Sequence, residues 1–185
     1  AYYPDLLPDI FSRLAQNTVR PDLFISVSSD ANQTQIIQLI KQYGLKLLQI
    51  KQVPNRGRDI GPFLTEFSKA FIEEYDIIGH IHTKKSLSFE ENIIARWRRF
   101  LLENLIGGKY HMEDIIINKM VEDPSIGLVF PDDPNILGWG DNLPYALDVC
   151  KELKISDLPK NFNFPVGTMF WARSDALNPL FSLNL

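Results

Sequence analysis

The sequence predicts an α/β fold: a mostly parallel sheet with helices on both faces. Two observations predict it. Short apolar runs rich in β-branched and aromatic residues alternate along the chain with amphipathic stretches of helical period. Turn residues stand at the junctions, and strands that return through helical crossovers line up in parallel. No internal repeat, low-complexity segment or linker divides the chain, so residues 1–185 read as a single domain.

The elements follow in order. Asp5 to Gln16 places Leu6, Ile10 and Leu14 at helical spacing, and Pro8 is tolerated in a first turn. Leu23 to Val27 is an apolar strand that ends in the turn chemistry of Ser28 to Asn32. Ala31 to Tyr43 carries Ile36, Ile37, Leu39 and Ile40 on a helical face, and Gly44 stops it. Leu45 to Val53 is a second strand. Asp59 to Glu74 reads as one amphipathic helix bearing Ile60, Phe63, Leu64, Phe67, Phe71 and Ile72, with Pro62 in its first turn. Asp76 to Ile81 is a third strand. Helices over Asn92 to Ile106, closed by Gly107-Gly108, and over His111 to Glu122 precede a strand at Ile126 to Phe130. Asp132 to Asn163 is irregular, with a short helix near Tyr145 to Leu153. Phe164 to Arg173 reads as a last strand, and Asp175 to Leu180 begins a helix.

Composition narrows the function classes. A net charge of −4 offers no basic excess to neutralise phosphates, which argues against a general nucleic-acid binder. Local positive charge gathers at Arg56/Arg58, Lys84/Lys85 and Arg96/Arg98/Arg99. The single cysteine, Cys150, excludes an internal disulfide and a cysteine-rich zinc site. No apolar run approaches the ~20 residues that span a bilayer. No GxSxG elbow, Walker A loop or GxGxxG is present.

Two polar clusters carry the candidate chemistry, and both sit where ligands bind in such folds, beyond the carboxyl ends of strands. Asn55-Arg56-Gly57-Arg58-Asp59 combines two guanidinium forks suited to phosphate or carboxylate with a glycine that permits a turn. The helix starting near Asp59 would add free N–H groups. The plainer reading makes Asp59 an N-cap and leaves the arginines solvated. His82-Thr83-Lys84-Lys85-Ser86 reads as an anion-binding loop with a lysine on a phosphate, or as a solvated charge run. His80 and His82 would share one face of a strand but supply only two metal ligands unless a distant carboxylate joins them. Asp132, Asp133 and Asp141 are carboxylates where a base could sit, although Asp-rich loops are usually turns. Trp97 with Arg96, Arg98 and Arg99 reads as one packed and one charged helix face.

Asn55-Arg-Gly-Arg-Asp-Ile-Gly-Pro-Phe-Leu, Tyr75-Asp76, His82-Thr-Lys-Lys-Ser, Trp97-Arg98 and the strand Ile126-Gly-Leu-Val-Phe-Pro together resemble the rhamnan synthesis protein F family. These are bacterial proteins associated with rhamnose-containing cell-wall and lipopolysaccharide glycans. The match runs from Tyr3 through Phe170-Trp-Ala-Arg173. The resemblance implies an apolar strand just ahead of Tyr2-Tyr3, and so a chain that is a fragment clipped near its first strand.

The order of elements also resembles the GT-A glycosyltransferase fold, a Rossmann-like sheet that carries an Asp-x-Asp motif on its fourth strand. Here Ile81-His82-Thr83-Lys84 takes that place, so a divalent metal lacks its usual carboxylates. The resemblance implies a rhamnosyltransferase using a sugar nucleotide such as dTDP-rhamnose. Its nucleotide-sugar site would comprise Asn55, Arg56, Arg58, Asp59, His82, Thr83, Lys84 and Lys85, with fixed cations in place of the metal. Gly167 to Arg173 resembles an acceptor-side segment, and the base would come from Asp132, Asp133 or Asp141. The acceptor would be a glycan or lipid-linked glycan met in the cytoplasm at the inner face of the membrane, with no nucleic acid involved. Two alternatives stand beside it: a noncatalytic glycan- or nucleotide-binding module, and a metal-dependent enzyme using His80 and His82.

Overall fold

The computed structural model describes residues 3–28, 30–54, 56–83, 91–133, 138–160 and 162–183. Asn55, Lys84, Lys85 and Ser86 from the two clusters lie outside the described residues. The order of elements is α1 (Leu7–Leu14), β1 (Asp22–Val27), α2 (Asp30–Gln42), β2 (Lys46–Gln52), α3 (Ile60–Glu66), α4 (Ser68–Glu74), β3 (Ile77–His80), α5 (Glu91–Leu105), α6 (Met112–Glu122), β4 (Leu128–Val129), α7 (Leu143–Glu152), β5 (Phe170–Arg173) and α8 (Ser174–Phe181).

The fold is mixed α/β, but the expected mostly parallel sheet is not what the described strands form. β1 and β2 pair in parallel, with a register shift between Leu23 and Phe24. β3, β5 and β4 form a second sheet in that order, and both of its pairings are antiparallel. The reason lies before β5. Val166–Thr168 is a tight turn in which Gly167 (φ 68°) and Thr168 (φ 57°) take left-handed backbone, which extended chain cannot include. The long strand expected over Phe164 to Arg173 therefore shortens to Phe170–Arg173. It enters from the carboxyl end of β3, where Phe170 pairs with His80.

Two apolar clusters hold the sheets. Leu7, Ile10, Phe11 and Leu14 of α1, Ile36 and Ile40 of α2, Val27 of β1, Leu101, Leu102 and Leu105 of α5, and Ile116 and Met120 of α6 make the larger one. Trp171 joins it from β5, its indole N–H donating to Leu105 O at 2.9 Å. Alternation along a strand sends the neighbours of Trp171, Phe170 and Ala172, to the opposite face with Ile78. There they meet Phe63, Phe67 and Phe71, which stand four residues apart on one side of α3 and α4.

The single helix expected over Asp59 to Glu74 is divided at Phe67 (φ −122°, ψ −6°). No proline or glycine marks the joint. Phe67 is instead pinned by tertiary contact, with its ring 5.6 Å from Phe24 and under the Lys51 ammonium at 5.2 Å. Gly79 is demanded by close approach. It pairs with Trp171, and a Cβ there would lie 2.7 Å from the indole.

Candidate functional site

The loop after β2 and the end of β3 come together. Gly57 (φ 74°) and Arg58 (φ 53°) both take left-handed backbone, and the Gly61 N–H closes the turn by donating to Gly57 O at 2.8 Å. A side chain on Gly57 would meet the Gly61 Cα at 2.9 Å, so conformation and space both call for glycine. Arg58 has no such freedom. A non-glycine residue held left-handed is strained backbone, and strain of this kind clusters at ligand clamps and active sites. The Arg56 and Arg58 side chains are exposed.

Asp59 is not the N-cap that its position suggests. Its own backbone is helical and its carboxylate caps nothing. Oδ2 accepts a hydrogen bond from the Thr168 hydroxyl and lies 3.4 Å from His82 Nε2. His82 Nε2 also faces Gly167 O at 2.6 Å, and His80 Nδ1 faces Thr168 O at 2.5 Å. A carbonyl only accepts, so each of these ring nitrogens carries the proton and donates. The two imidazoles, 5.8 Å apart on one face of the strand end, thus clasp the left-handed Gly167–Thr168 turn. Three segments distant in sequence are locked into one polar knot. α3 has only seven residues, and the arginines precede it in the turn rather than crown a long helix.

Burial pushes His80 down to about 4, the neighbouring His82 adds to the effect, and the Thr168 carbonyl and Asp59 oppose it. His80 is therefore neutral at physiological pH and acts as a post for the turn. At Asp59 burial works to raise the carboxyl, but the interaction with His82 and the Thr168 hydrogen bond outweigh it. The group is held below the ordinary carboxylate range. Among the described residues, no three His, Cys, Asp or Glu side chains are grouped to hold an ion.

A cavity of about 750 Å³ reaches this knot, with Arg58, Asp59, His82 and Thr83 in its lining. Thr83 is buried, and its Oγ1 accepts from the Tyr3 N–H at 3.0 Å. The residues of β1 and β3 also line it, together with apolar side chains such as Leu7, Phe11, Phe63 and Phe67. The remaining candidates lie elsewhere. Asp132 and Asp133 follow β4, two strands from β3 in the order β3-β5-β4. Asp141 stands exposed in the turn Gly140–Asn142, and none of the three lines the cavity. Arg99 of the basic trio donates to Glu103 at 2.8 Å along α5.

Sequence reading missed two participants. Thr168 sat inside an expected strand, although Pro165 and Gly167 beside it are turn signals. Glu113 is wholly buried, with neither carboxyl oxygen hydrogen-bonded among the described residues. Its signal was legible, because it shares a helix face with Ile116 and Met120 at spacings of three and seven.

The model of the family described as "Rhamnan synthesis protein F" matches residues 1–185. Two curated relatives, both named "Uncharacterized protein WxcX", come from two strains of Xanthomonas campestris pv. campestris, B100 and ATCC 33913. Each is 32% identical over 190 residues, covering 100% of this chain and 26% of its own length. The chain thus spans about a quarter of the curated relatives it matches. No solved structure matches it. The full-length family match and these relatives show that the chain belongs to the rhamnan synthesis protein F family.

Proposed function

We propose that this domain is a glycosyltransferase of polysaccharide synthesis that binds a sugar nucleotide, dTDP-rhamnose, and passes the sugar to a glycan or lipid-linked glycan. The observation that carries the reading is the polar knot in the cavity lining. It brings the strained Arg58 turn and the end of β3 together at strand ends, the place where nucleotides bind in α/β folds. A strand pairing also supports it. β1 and β2 pair in parallel, the arrangement that nucleotide-binding α/β sheets use.

In this reading Arg56 and Arg58, joined by Lys84 and Lys85, which follow Thr83 in the sequence, would bind the diphosphate. The acceptor hydroxyl attacks the anomeric carbon as the bond from that carbon to the phosphate oxygen breaks. The nucleoside diphosphate leaves with the bonding pair, and fixed cations stabilise its growing charge. The hydroxyl proton passes to a carboxylate, and since Asp132, Asp133 and Asp141 lie outside the cavity lining, one of them serves only where the acceptor site extends beyond the cavity to it. Asp59 and His82 hold the cationic loop in place through Thr168. The engagement of the Asp59 carboxylate by Thr168 and His82 favours the second reading, a noncatalytic nucleotide- or glycan-binding module.

Titration calorimetry with dTDP, UDP and GDP, with Mn²⁺ and with chelator, tests the assignment. Metal-independent binding of one diphosphate, weakened at least roughly tenfold by Arg58→Ala or Lys84→Ala through loss of a charge-assisted phosphate contact, is the expected result. Binding unchanged in folded Arg58→Ala and Lys84→Ala variants would sink the site. Binding without any transfer from dTDP-rhamnose would select the module.

A further inference from the structure

Trp139 and Phe162 stand outside both apolar clusters, whereas Phe164 packs against the larger one. The Trp139 and Phe162 ring centroids are 4.2 Å apart with planes inclined by 36°, and Phe162 lies 5.5 Å from Phe164 at 42°. The three rings form a tilted row that leads outward from the core. Trp139 sits between two glycines in left-handed backbone, Gly138 (φ 68°) and Gly140 (φ 50°). Its indole N–H donates to Pro159 O at 3.0 Å, which fixes the plane of the ring.

What accompanies the rings identifies the ligand. Asp141 and Asn142 follow Trp139, Asn163 follows Phe162, and all three are exposed. Their carboxylate and amide groups accept from and donate to hydroxyls. Within residues 138–142 and 158–164 the only charged side chains are Asp141 and Lys160, one of each sign, so nothing selects an anion or a cation. A sugar ring matches this mixture. Its weakly positive C–H groups meet the negative face of an aromatic ring, and its rim hydroxyls pair with short polar side chains. A 6-deoxyhexose adds a methyl group to its apolar surface. The rings also adjoin the candidate site along the chain. Pro165, next to Phe164, accepts from the Thr168 N–H at 2.9 Å and so opens the turn that His80 and His82 clasp.

We propose that Trp139 and Phe162 form a glycan subsite, an aromatic platform on which a neutral, deoxyhexose-rich acceptor lays its C–H face, with Asp141 and Asn163 at its hydroxyls. The inference rests on the reading of this domain as one that handles a glycan, and it holds for the transferase and the binding module alike. It also gives Asp141 a place. This carboxylate lies outside the cavity lining but two residues from the platform, so it belongs with the acceptor rather than the nucleotide.

Saturation-transfer NMR and calorimetry on the full-length protein with a rhamnose trisaccharide, in the absence of nucleotide, test this. Saturation is expected to be strongest at the methyl and C–H protons of one sugar face. Trp139→Leu keeps apolar bulk but loses the flat ring, and should weaken binding at least roughly tenfold, while Trp139→Phe should restore most of it. Phe162→Leu repeats the comparison on the second ring if Trp139→Leu does not fold. A folded leucine variant that binds as tightly as the parent would overturn the proposal. So would a trisaccharide that the unsubstituted protein does not bind. Loss of self-association in Trp139→Leu without any glycan binding would assign the rings to a protein contact and overturn it likewise. Transfer from dTDP-rhamnose undiminished in Trp139→Leu would strike out the subsite and leave the transferase reading intact. Glycan binding that depends on Trp139, without any dTDP binding, would keep the subsite and select the module.

Discussion

Replacing Glu113 by glutamine isolates a buried carboxyl whose titration opposes folding. Glu113 is 0% exposed, and burial, with the neighbouring Asp114, pushes it up to about 8, while Arg20 pulls the other way. His111, beside Asp114 at 3.6 Å, is the other titratable group close by. A carboxyl whose folded pKa lies above its unfolded value is at no disadvantage below the unfolded value. It costs stability progressively as pH rises toward the folded pKa, because the unfolded chain gives up the proton first. From an ordinary value of 4.5 to pH 7 the cost is about 2.5 units at 1.36 kcal/mol, or roughly 3 kcal/mol.

The clean window is pH 6.5 to 8, where folded His80 is neutral and the unfolded imidazole, with an ordinary value of 6.5, loses its remaining proton alike in parent and variant. Over that window the unsubstituted chain should lose about 1.5 kcal/mol through Glu113. Glu113→Gln keeps the shape, cannot ionise, and should remove this loss, so its stability relative to the parent rises with pH. Denaturant unfolding at constant ionic strength measures it. Parallel stability curves for parent and Glu113→Gln across pH 6.5 to 8 would refute the argument that this carboxyl is buried without a partner.

Two further outcomes follow from the same structure. His80, lowered to about 4 by burial and His82, stabilises the fold above its unfolded pKa of 6.5 and loses that contribution as pH falls through 4. Between pH 6.5 and 4.5 this loss, about 2.5 kcal/mol, runs against the gain from Glu113, so the parent should be nearly flat there. His80→Gln should instead become more stable as pH falls, and a parent that already does so would contradict the buried neutral imidazole. Gly79→Ala should destabilise by about 1–3 kcal/mol, because the Cβ meets a Trp171 indole that Leu105 O holds in place. Thermal unfolding followed by tryptophan fluorescence reads this, and an unshifted midpoint would mean that the indole can move aside.

Much of this molecule is local in origin and was therefore legible in the sequence. The period of α2, the stop at Gly44, the strands at β1 and β2, and the two polar clusters depend on side chains and backbone within a few residues of each other. The pairing direction of β5 depends instead on where the chain enters the sheet, which two left-handed residues at Gly167 and Thr168 decide. The break at Phe67 comes from aromatic partners on β1 and α4, and no residue at the joint announces it. Asp59 shows the division most plainly. As a sequence position it is an N-cap beside two arginines. Only the fold brings Thr168, 109 residues away, to its carboxylate. A hydrogen bond across that separation exists because packing delivers the two groups to one place, and a local pattern carries no record of it.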